Sequence, residues 1–421
     1  MTENRKVKKS YKFRAYCNKT TEKTLEEVLE CCRWEYNLAL SLKEITYNLS
    51  KESLHKYSII NNINHFTALN PFLGKVYSQV RQEVISRLDH NYSLFFKGVK
   101  EGRKVGKPRF IPYGQYCSFT YQDPKRGFKL SKRDKTGKKA IGNWRWLKLS
   151  LADKQYIYLK IKKHRAVKGK LKTLTVKKNS LGEWYIIVVT DHIVDVKPKT
   201  SSIGIDLGIK DLATTSKNTV VENPLNSKNP SFIEFEKTFD RIVDCQRSLQ
   251  IANDKLKKAH NIKDKKEKKL ELEKWYRIKK YRLKSLRLAW KIYNNLKHEY
   301  MHQEARSIVN ESNVICIEDF KPKKLSEKNF TKKKSLRKRL RQASCTSFKT
   351  VLFSKALING NIPVLVPPFN TTKTCSDCGS LKMMKLEDRI YECKKCKLII
   401  DRDYNAAINI EKLGLELLKA A

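Results

Sequence analysis

Two cysteine pairs constrain this chain more than any other feature of its sequence. Cys375 and Cys378 form one Cys-x-x-Cys pair, and Cys393 and Cys396 form a second after 14 intervening residues. Each pair can turn two thiolates toward one ion, and four thiolates complete a tetrahedral zinc site without an open position. A segment of 22 residues, 375–396, buries too little apolar surface to hold its own fold without a metal. The sequence therefore predicts a structural zinc ribbon there; the alternative is four buried thiols without a metal.

The other seven cysteines are scattered or, as Cys31 and Cys32, lie in an apolar helical pattern. The total of eleven is odd and residues 1–10 lack the apolar core of a signal peptide, so neither a disulfide framework nor secretion is expected. No run of about 18 apolar residues is present, so we expect no membrane-spanning helix. These features predict a cytoplasmic protein without a membrane partner.

The net charge indicates the binding partner. The chain has 90 Lys and Arg against 43 Asp and Glu, a formal charge of +47. A compact fold with this charge repels itself unless a polyanion neutralises it, and nucleic acid is the polyanion that the charge favours. A membrane surface is the alternative, but a peripheral membrane protein needs only one basic face. The basic residues concentrate in runs at 125–139, 255–299 and 321–341.

Apolar periodicity in the first half of the chain predicts a helical segment beside a small barrel. Apolar residues at every third or fourth position predict helices over about 18–100. Glycines, prolines and basic runs predict surface loops over 98–142. An alternating pattern predicts a first strand, and three later runs are expected to pair with it in the barrel: 7–16, 156–161, 171–176 and 183–190. We place a linker at 196–200.

The second half alternates short apolar strands with helices, which is typical of an α/β fold. Apolar residues near heptad spacing predict a helical arm over about 236–310, broken at His260 and Asn261 into two antiparallel helices with a basic exterior. A solvated helical hairpin is the alternative interpretation of the arm. The predicted strands of this half are 202–208, 314–320 and 362–366.

Three carboxylates stand at strand ends or beside a helix start, and they are candidates for catalysis. Asp206 and Glu318 each follow apolar strand residues, and Asp403 stands at the start of the last helical pattern. A buried acid is costly unless it is paired or binds a metal. Carboxylates that converge can hold two Mg²⁺ ions for phosphodiester hydrolysis. Taken singly, Asp206 could be a turn residue, Glu318 a lysine partner, and Asp403 or Asp401 a helix cap.

Other chemistries find little support in the sequence. Neither GxxxxGK nor GxSxG occurs, so a nucleotide-driven motor and a serine hydrolase are not expected. Tyr113, Tyr116, Phe119 and Tyr121 alternate with polar residues and could stack on bases or lie in a core. The residues alone leave these two alternatives open.

The ordered motifs resemble the TnpB proteins of insertion sequences, which are RNA-guided DNA endonucleases related to compact type V CRISPR effectors. The resemblance spans nearly the whole chain. It starts at Tyr11-Lys-Phe-Arg and Cys32-Arg-Trp-Glu-Tyr-Asn, and continues with Gly-Ile-Asp206-Leu-Gly and Ile-Glu318-Asp-Phe. It ends with Thr371-Thr-Lys-Thr-Cys375, the second cysteine pair, and Asp401-Arg-Asp403-Tyr-Asn-Ala-Ala. One departure is Cys17, where the family often has proline.

The resemblance implies an α/β and β multidomain fold. Its core would be an RNase H-like RuvC nuclease domain, 197–374 and 397–421, with a helical insertion and the zinc ribbon, 375–396, as a target-nucleic-acid-binding insert. A wedge-like β-barrel domain, 1–17 and 101–196, and a helical recognition domain, 18–100, would precede it.

The resemblance also implies roles for individual residues. Asp206, Glu318 and Asp403 would be the catalytic acids that bind two Mg²⁺ ions, with Asp403 favoured over Asp401 because it directly precedes Tyr-Asn-Ala-Ala. The four ribbon cysteines would bind one Zn²⁺. The implied function is RNA-guided cleavage of double-stranded DNA next to a short flanking motif, with guide RNA and target DNA as partners. A guided repressor that does not cleave, a compact CRISPR effector and a strand-transfer transposase are the alternatives.

Overall fold

The computed structural model of the chain describes residues 4–420 except 134, 135, 138, 209, 225–228, 320–344 and 385–387. It divides into two compact units, Lys8–His192 and Met1–Val7 with Ile193–Ala421. The basic run at 321–341 lies outside the described residues. No helix of the described part is long and apolar enough to cross a membrane.

The first unit contains a seven-stranded sheet. Its strands in chain order are β1 (Asn4–Tyr16), β2 (Ser118–Tyr121), β3 (Phe128–Ser131), β4 (Trp144–Ser150), β5 (Tyr156–Lys162), β6 (Lys170–Lys178) and β7 (Trp184–Asp195). They lie side by side in the order β2-β6-β7-β1-β5-β4-β3. The alternation of apolar and polar residues along β1 and β5 buries one face and exposes the other, as expected for a barrel-type sheet.

Helices cover the buried face of this sheet. They are α1 (Lys19–Ser50), α2 (Lys56–Asn61), α3 (Ile63–Leu69) and α4 (Ser78–Lys100), with a short 3₁₀ helix at Pro71–Lys75. Asn18 caps α1 by accepting a hydrogen bond from the Thr21 backbone N–H at 2.8 Å. The apolar stripes of α1 and α4 join the inward side chains of the strands in one core, which includes Leu25, Leu40, Val84, Phe13 and Leu159.

The second unit is built on a five-stranded sheet. Its strands are β8 (Ser202–Asp206), β9 (Asp211–Thr215), β10 (Val220–Glu222), β11 (Val314–Glu318) and β12 (Ile362–Val366), and they lie in the order β10-β9-β8-β11-β12. The three strands β8, β11 and β12 are parallel, whereas β9 is antiparallel to both of its neighbours, β8 and β10. Parallel strands buried on both faces read as continuous apolar runs, and β11 is buried at all five positions.

Helices lie on both faces of this sheet. They are α5 (Ile233–His260), α6 (Lys265–Glu311), α7 (Cys345–Ile358) and α8 (Arg402–Ala420), and a short 3₁₀ helix at Pro230–Phe232 precedes α5. Ile205 and Ile317 pack with residues of α6 and α7. On the opposite face, Cys316 packs with Ile410 of α8. A two-stranded ribbon, β13 (Ile390–Glu392) and β14 (Ile399–Asp401), leads directly into α8.

The structure confirms most of the predicted elements and corrects one. The predicted strands over 156–161, 171–176, 183–190 and 362–366 appear as β5, β6, β7 and β12, and the helical arm breaks after His260 as predicted. The prediction of loops throughout 98–142 is wrong, because β2 and β3 lie within it. Both strands have only four residues, which is too short for their alternation to stand out among neighbouring basic residues.

Candidate active site and zinc centre

Asp206 and Glu318 lie at the same edge of the five-stranded sheet. Strands β8 and β11 are parallel with Ile205 opposite Ile317, so the following residues, Asp206 and Glu318, end neighbouring strands. Because side chains alternate along a strand, these two acids point to the face that α8 covers, away from α6 and α7. Their exposed fractions are only 8% and 7%.

Asp403 reaches this edge from the first turn of α8. The helix approaches β8 closely because residue 204 is glycine: a Cβ there would overlap the carbonyl oxygen of Ala407. Burial raises the pKa of Asp206 well above its usual value, and the charges of Glu318 and Asp403 raise it further. Asp206 is therefore within electrostatic range of both Glu318 and Asp403, although 112 and 85 residues separate successive members of the three acids in the chain.

Asp401 and Asp403 have different surroundings. Asp401 Oδ1 accepts hydrogen bonds from the backbone N–H groups of Asp403 at 2.9 Å and Tyr404 at 3.0 Å, which is the geometry of a helix cap. Asp403 instead accepts from the Arg402 guanidinium, whose Nε and Nη2 lie 2.9 and 2.8 Å from Oδ1. Arg389 Nη1 lies 3.4 Å from Oδ2. Asp401 is thus occupied in capping α8, whereas the Asp403 carboxylate meets charged groups at the sheet edge.

Glu318 is held by the loop that follows β12. The Thr371 hydroxyl donates a buried hydrogen bond of 3.1 Å to Glu318 Oε1. Burial raises the pKa of Glu318, and both the Thr371 hydroxyl and the Lys349 ammonium oppose this shift. Lys349 itself pairs with Asp319, with 2.6 Å between Nζ and Oδ1.

The donor set of this edge suits a hard divalent cation. Asp206, Glu318 and Asp403 offer carboxylate oxygens, which are the ligands that Mg²⁺ prefers. The ionised form of Asp206 is disfavoured by burial and by its acidic neighbours. A cation at this edge would offset both costs, so the residues present fit a divalent metal.

The four ribbon cysteines form the second candidate site. Among the described residues they are the group whose ligand atoms all lie within 4.8 Å of one another. Cys375 Sγ lies 3.5 Å from Cys396 Sγ, and Cys378 Sγ lies 3.5 Å from Cys393 Sγ. Four sulfurs at about 2.3 Å from a tetrahedral zinc would stand about 3.8 Å apart, which is close to these separations. The predicted Cys₄ arrangement is confirmed, and it fits one structural zinc ion.

A serine favours the thiolate forms of two of the four cysteines, and a buried tyrosine links the strands of the ribbon to the loop before it. The Ser380 hydroxyl lies 3.1 Å from the sulfurs of both Cys378 and Cys393 and lowers the pKa of each. Tyr391 of β13 is fully buried, and its hydroxyl donates to the carbonyls of Lys373 and Ser380. Gly379 has a φ of +71°, which suits the tight turn after the first cysteine pair.

Sequence reasoning assigned no individual role to several residues around the acids: Thr371, Lys349, Arg389, Arg402, Asn405 and Asn409. Small polar residues just before Cys375, and asparagines four positions apart near the start of α8, were the available signals. The aromatic residues left open at 116, 119 and 121 are buried and belong to the core, whereas Tyr113 is 82% exposed.

Two family profiles match the chain. Residues 346–410 match the Cas12f1-like TNB domain. Residues 1–52 match the helix-turn-helix domain named for OrfB of IS605. In this structure the second region consists of strand β1 followed by the single long helix α1.

Relatives and a solved structure cover most of the chain. The protein named "Putative RNA-guided DNA endonuclease InsQ" from Escherichia coli (strain K12) is 25% identical over 97% of this chain and 93% of its own length. TnpB-like protein L79 of Acanthamoeba polyphaga mimivirus is 31% identical over 58% of this chain and 44% of its own length. The fold is similar to that in the cryo-EM structure of the Cas12f1-sgRNA-target DNA complex, with a TM-score of 0.60, 15% identity, and 96% and 99% of the two chains covered.

These matches confirm the resemblance read from the motifs. They also confirm the fold class as a mixed α/β chain with a barrel-type sheet and a four-cysteine centre. The two profiles cover the opening strand and helix at one end and the ribbon with α8 at the other, and InsQ spans the residues between. The chain is therefore similar to TnpB/IS605 proteins at both ends and, through InsQ, over nearly its whole length.

Proposed function

We propose that this chain is a transposon-encoded, RNA-guided DNA endonuclease that cuts DNA complementary to its guide beside a short flanking motif. The observation that carries the proposal is that Asp206 and Glu318 end neighbouring parallel strands, with Asp403 in the first turn of the helix that packs against β8. A relative that spans 97% of the chain has RNA-guided DNA endonuclease in its name. The net charge of +47 suits a protein that holds both an RNA and a DNA.

We assign the five-stranded sheet with α6, α7 and α8 to an RNase H-like RuvC nuclease domain. The proposed domain boundaries are those expected from the sequence: RuvC at 197–374 and 397–421, and the zinc ribbon at 375–396. The wedge-like barrel would comprise 1–17 and 101–196, and the recognition domain 18–100. A mixed sheet with helices on both faces and acids at its carboxyl edge supports the RuvC assignment.

In the proposed reaction, Asp206, Glu318 and Asp403 hold two Mg²⁺ ions. When bound, such ions activate the attacking water and stabilise the leaving oxygen of the phosphodiester. The chain itself fixes the ligand positions: β8 and β11 place Asp206 and Glu318 side by side, and α8 adds Asp403. Burial of the first two acids limits their rotamers and keeps competing water away.

An exposed face of the seven-stranded sheet supports RNA binding. Arg14 and Tyr16 of β1 point away from the core because Phe13 and Ala15 point into it. The Tyr16 and Trp144 rings lie 5.2 Å apart, and Lys160 Nζ lies 4.6 Å from the Trp144 ring centroid. Aromatic rings interleaved with cations offer stacking for bases and charge for phosphates. Base pairing by the guide would then choose the DNA sequence.

The decisive experiment separates cleavage from binding. The protein purified with its RNA is assayed in Mg²⁺ for cutting and binding of a matched DNA duplex, as wild type and as Asp206→Ala, Glu318→Ala and Asp403→Ala. We expect cleavage to fall by orders of magnitude because each change removes a metal ligand. DNA binding should persist, because removal of a negative charge does not weaken phosphate contacts. Asp401→Asn is the matched control, since Asn caps a helix about as well as Asp.

The same assay tells the rival functions apart. Alanine variants that cut at the wild-type rate would refute the catalytic assignment. A wild type that binds guided DNA without cutting would be a repressor, and joined instead of cut products would indicate a strand-transfer transposase. Loss of activity in Asp401→Asn alone would show that the wrong aspartate of the pair was chosen.

A further inference from the structure

The loop before the first ribbon cysteine connects the zinc centre to a catalytic acid. Thr371 is 2% exposed and lies five residues after β12 ends and four before Cys375. Its hydroxyl donates to Glu318 Oε1 at 3.1 Å. A threonine hydroxyl has one proton, so this bond uses its donor on one carboxylate oxygen and leaves the other, Oε2, to face elsewhere.

Helix α8 holds the backbone of this loop. Asn409 Nδ2 donates to the carbonyl oxygens of Thr371 at 2.9 Å and Thr374 at 2.7 Å. Asn405 Nδ2 donates to the Thr374 carbonyl at 2.8 Å, and its Oδ1 accepts from the Ser376 backbone N–H at 2.9 Å. Both asparagines are buried, so these bonds replace water contacts that the loop would otherwise make.

The same helix therefore reaches two of the three acids by different routes. Asp403 is a residue of α8 itself, and Glu318 is contacted through Asn409 and Thr371. Asn405 and Asn409 are four positions apart and thus share one face of the helix. Any shift of the loop relative to α8 would move the hydroxyl that orients Glu318.

We propose that Thr371 is a positioning residue that orients the Glu318 carboxylate for metal binding, with Asn409 fixing the position of Thr371. This inference rests on the proposed function, because it assumes that Glu318 is a metal ligand. It gives one residue of the loop that leads into the ribbon, Thr371, a role in the nuclease centre. Hydrogen bonds from such outer residues set the orientation of a ligand, and their removal typically weakens metal affinity or activity by about 10–100-fold.

The test compares Thr371→Val, which removes the hydroxyl but retains the branched shape, with Thr371→Ser, which retains the hydroxyl. Thr374→Val is the matched control: its hydroxyl donates to the Asn370 carbonyl in the same loop and does not touch Glu318. The first readout is the single-turnover cleavage rate of the RNA-loaded protein at saturating DNA, measured across a Mg²⁺ titration. The second is Mn²⁺ binding without DNA, followed by electron paramagnetic resonance of the free ion.

We expect Thr371→Val to cut about 10–100-fold more slowly at low Mg²⁺ and to bind Mn²⁺ correspondingly more weakly. Thr371→Ser and Thr374→Val should resemble the wild type in both readouts, with unchanged DNA affinity and zinc content. A Thr371→Val protein with wild-type Mn²⁺ affinity would overturn the proposal. If Thr371→Val lost zinc or melted early, Thr371→Ala would be compared with Thr371→Ser instead. Equal cleavage rates in that pair would also overturn the proposal.

Glu318→Ala, measured in the same series, separates the catalytic role of Glu318 from the positioning role of Thr371. If Glu318→Ala cuts normally, the proposed catalytic acids are wrong. If Glu318→Ala is inactive while Thr371→Val behaves as the wild type, the proposed function stands and only the positioning role fails.

Discussion

Two aspartates separated by one residue have different roles because their surroundings differ. Asp401 and Asp403 have the same chemistry, and the sequence alone allowed either one to cap the last helix. In the structure Asp401 accepts hydrogen bonds from backbone N–H groups at the start of α8, whereas Asp403 contacts Arg402 and Arg389 and its charge acts on the buried Asp206. The family resemblance had favoured Asp403 as the catalytic residue, and these contacts support that choice.

A buried ion pair in the first unit makes a prediction about stability. Glu35 of α1 and Arg81 of α4 are 1% and 3% exposed, with 2.8 Å between Oε2 and Nε. Arg81 also donates to the Thr67 hydroxyl at 2.5 Å, which adds α3 to the contact. Arg81→Met should lower the free energy of unfolding by about 3–5 kcal/mol, because it leaves the Glu35 carboxylate buried without its partner. Denaturant or thermal unfolding of the full chain measures this.

The sign of the pH dependence follows from burial. Burial raises the pKa of Glu35, and Arg81 opposes the shift. An acid with a raised pKa in the fold destabilises the folded state increasingly as pH rises from its ordinary value of 4.5 through the raised value. In Arg81→Met the arginine no longer lowers the pKa of Glu35. The loss in free energy of unfolding should therefore be larger at pH 8 than at pH 5. Lys107→Met, which breaks the exposed pair with Glu44, is the control and should cost no more than about 1 kcal/mol. Equal losses in the two variants would contradict the prediction.

At the scale of elements, the close packing of α8 on β8 requires a glycine. A Cβ at residue 204 would overlap the Ala407 carbonyl oxygen and lie 2.6 Å from the Glu411 backbone nitrogen. Gly204→Ala should therefore destabilise the protein by about 1–3 kcal/mol through overpacking. It should also slow cleavage, because α8 carries Asp403. Thermal melting and the cleavage rate check both effects.

The matched control for that change is Gly106→Ala. A Cβ at 106 meets nothing within 4 Å, and its melting temperature should stay near that of the wild type. If Gly204→Ala melted and cut like Gly106→Ala, the close approach of α8 to β8 would not be a requirement of the fold.

We expect the ribbon to depend on a metal more than on its core. Among its described residues, the buried apolar cluster consists of Tyr391, Cys375 and Cys393, with a few half-buried neighbours. Atomic absorption should find about one zinc per chain, because four thiolates satisfy one ion. Cys378→Ser should lose that zinc and unfold the ribbon locally while the sheet of the second unit persists. Cys245→Ser, in α5, should retain the metal. A metal-free wild type that remained folded and active would defeat this prediction.

At the scale of the whole molecule, charge determines how the protein meets nucleic acid. The charge of +47 predicts that the protein purifies with a discrete RNA. Without that RNA, DNA binding should be weak and independent of sequence. With about 6–10 phosphate contacts, affinity should fall about 10³–10⁵-fold between about 50 and 200 mM salt. Sequencing of the co-purified RNA and a salt titration of DNA binding measure these outcomes. Site-specific cutting by RNA-free protein would refute the requirement for a guide.

The sequence by itself determined the features that depend on local chemistry. The spacing of Cys375, Cys378, Cys393 and Cys396 predicted one metal centre because two Cys-x-x-Cys turns can direct four thiolates toward a single ion. Long periodic patterns predicted α1 and the arm of α5 and α6, because periodicity accumulates over many residues, and a continuous apolar run predicted β12. The sequence did not predict β2 and β3, because four residues are too few for an alternating pattern to stand out.

Only the tertiary structure decided which residues meet across the chain. Asp206 and Glu318 end neighbouring parallel strands, and Asp403 lies at the start of the helix that covers the face to which both side chains point. Thr371 and Asn409 acquire a role only there, since no local pattern marks a hydroxyl that reaches a carboxylate 53 residues earlier in the chain. Local spacing specifies a turn or a ligand pair, but contacts between distant segments depend on strand order and helix packing, which are set by the burial of the whole apolar core.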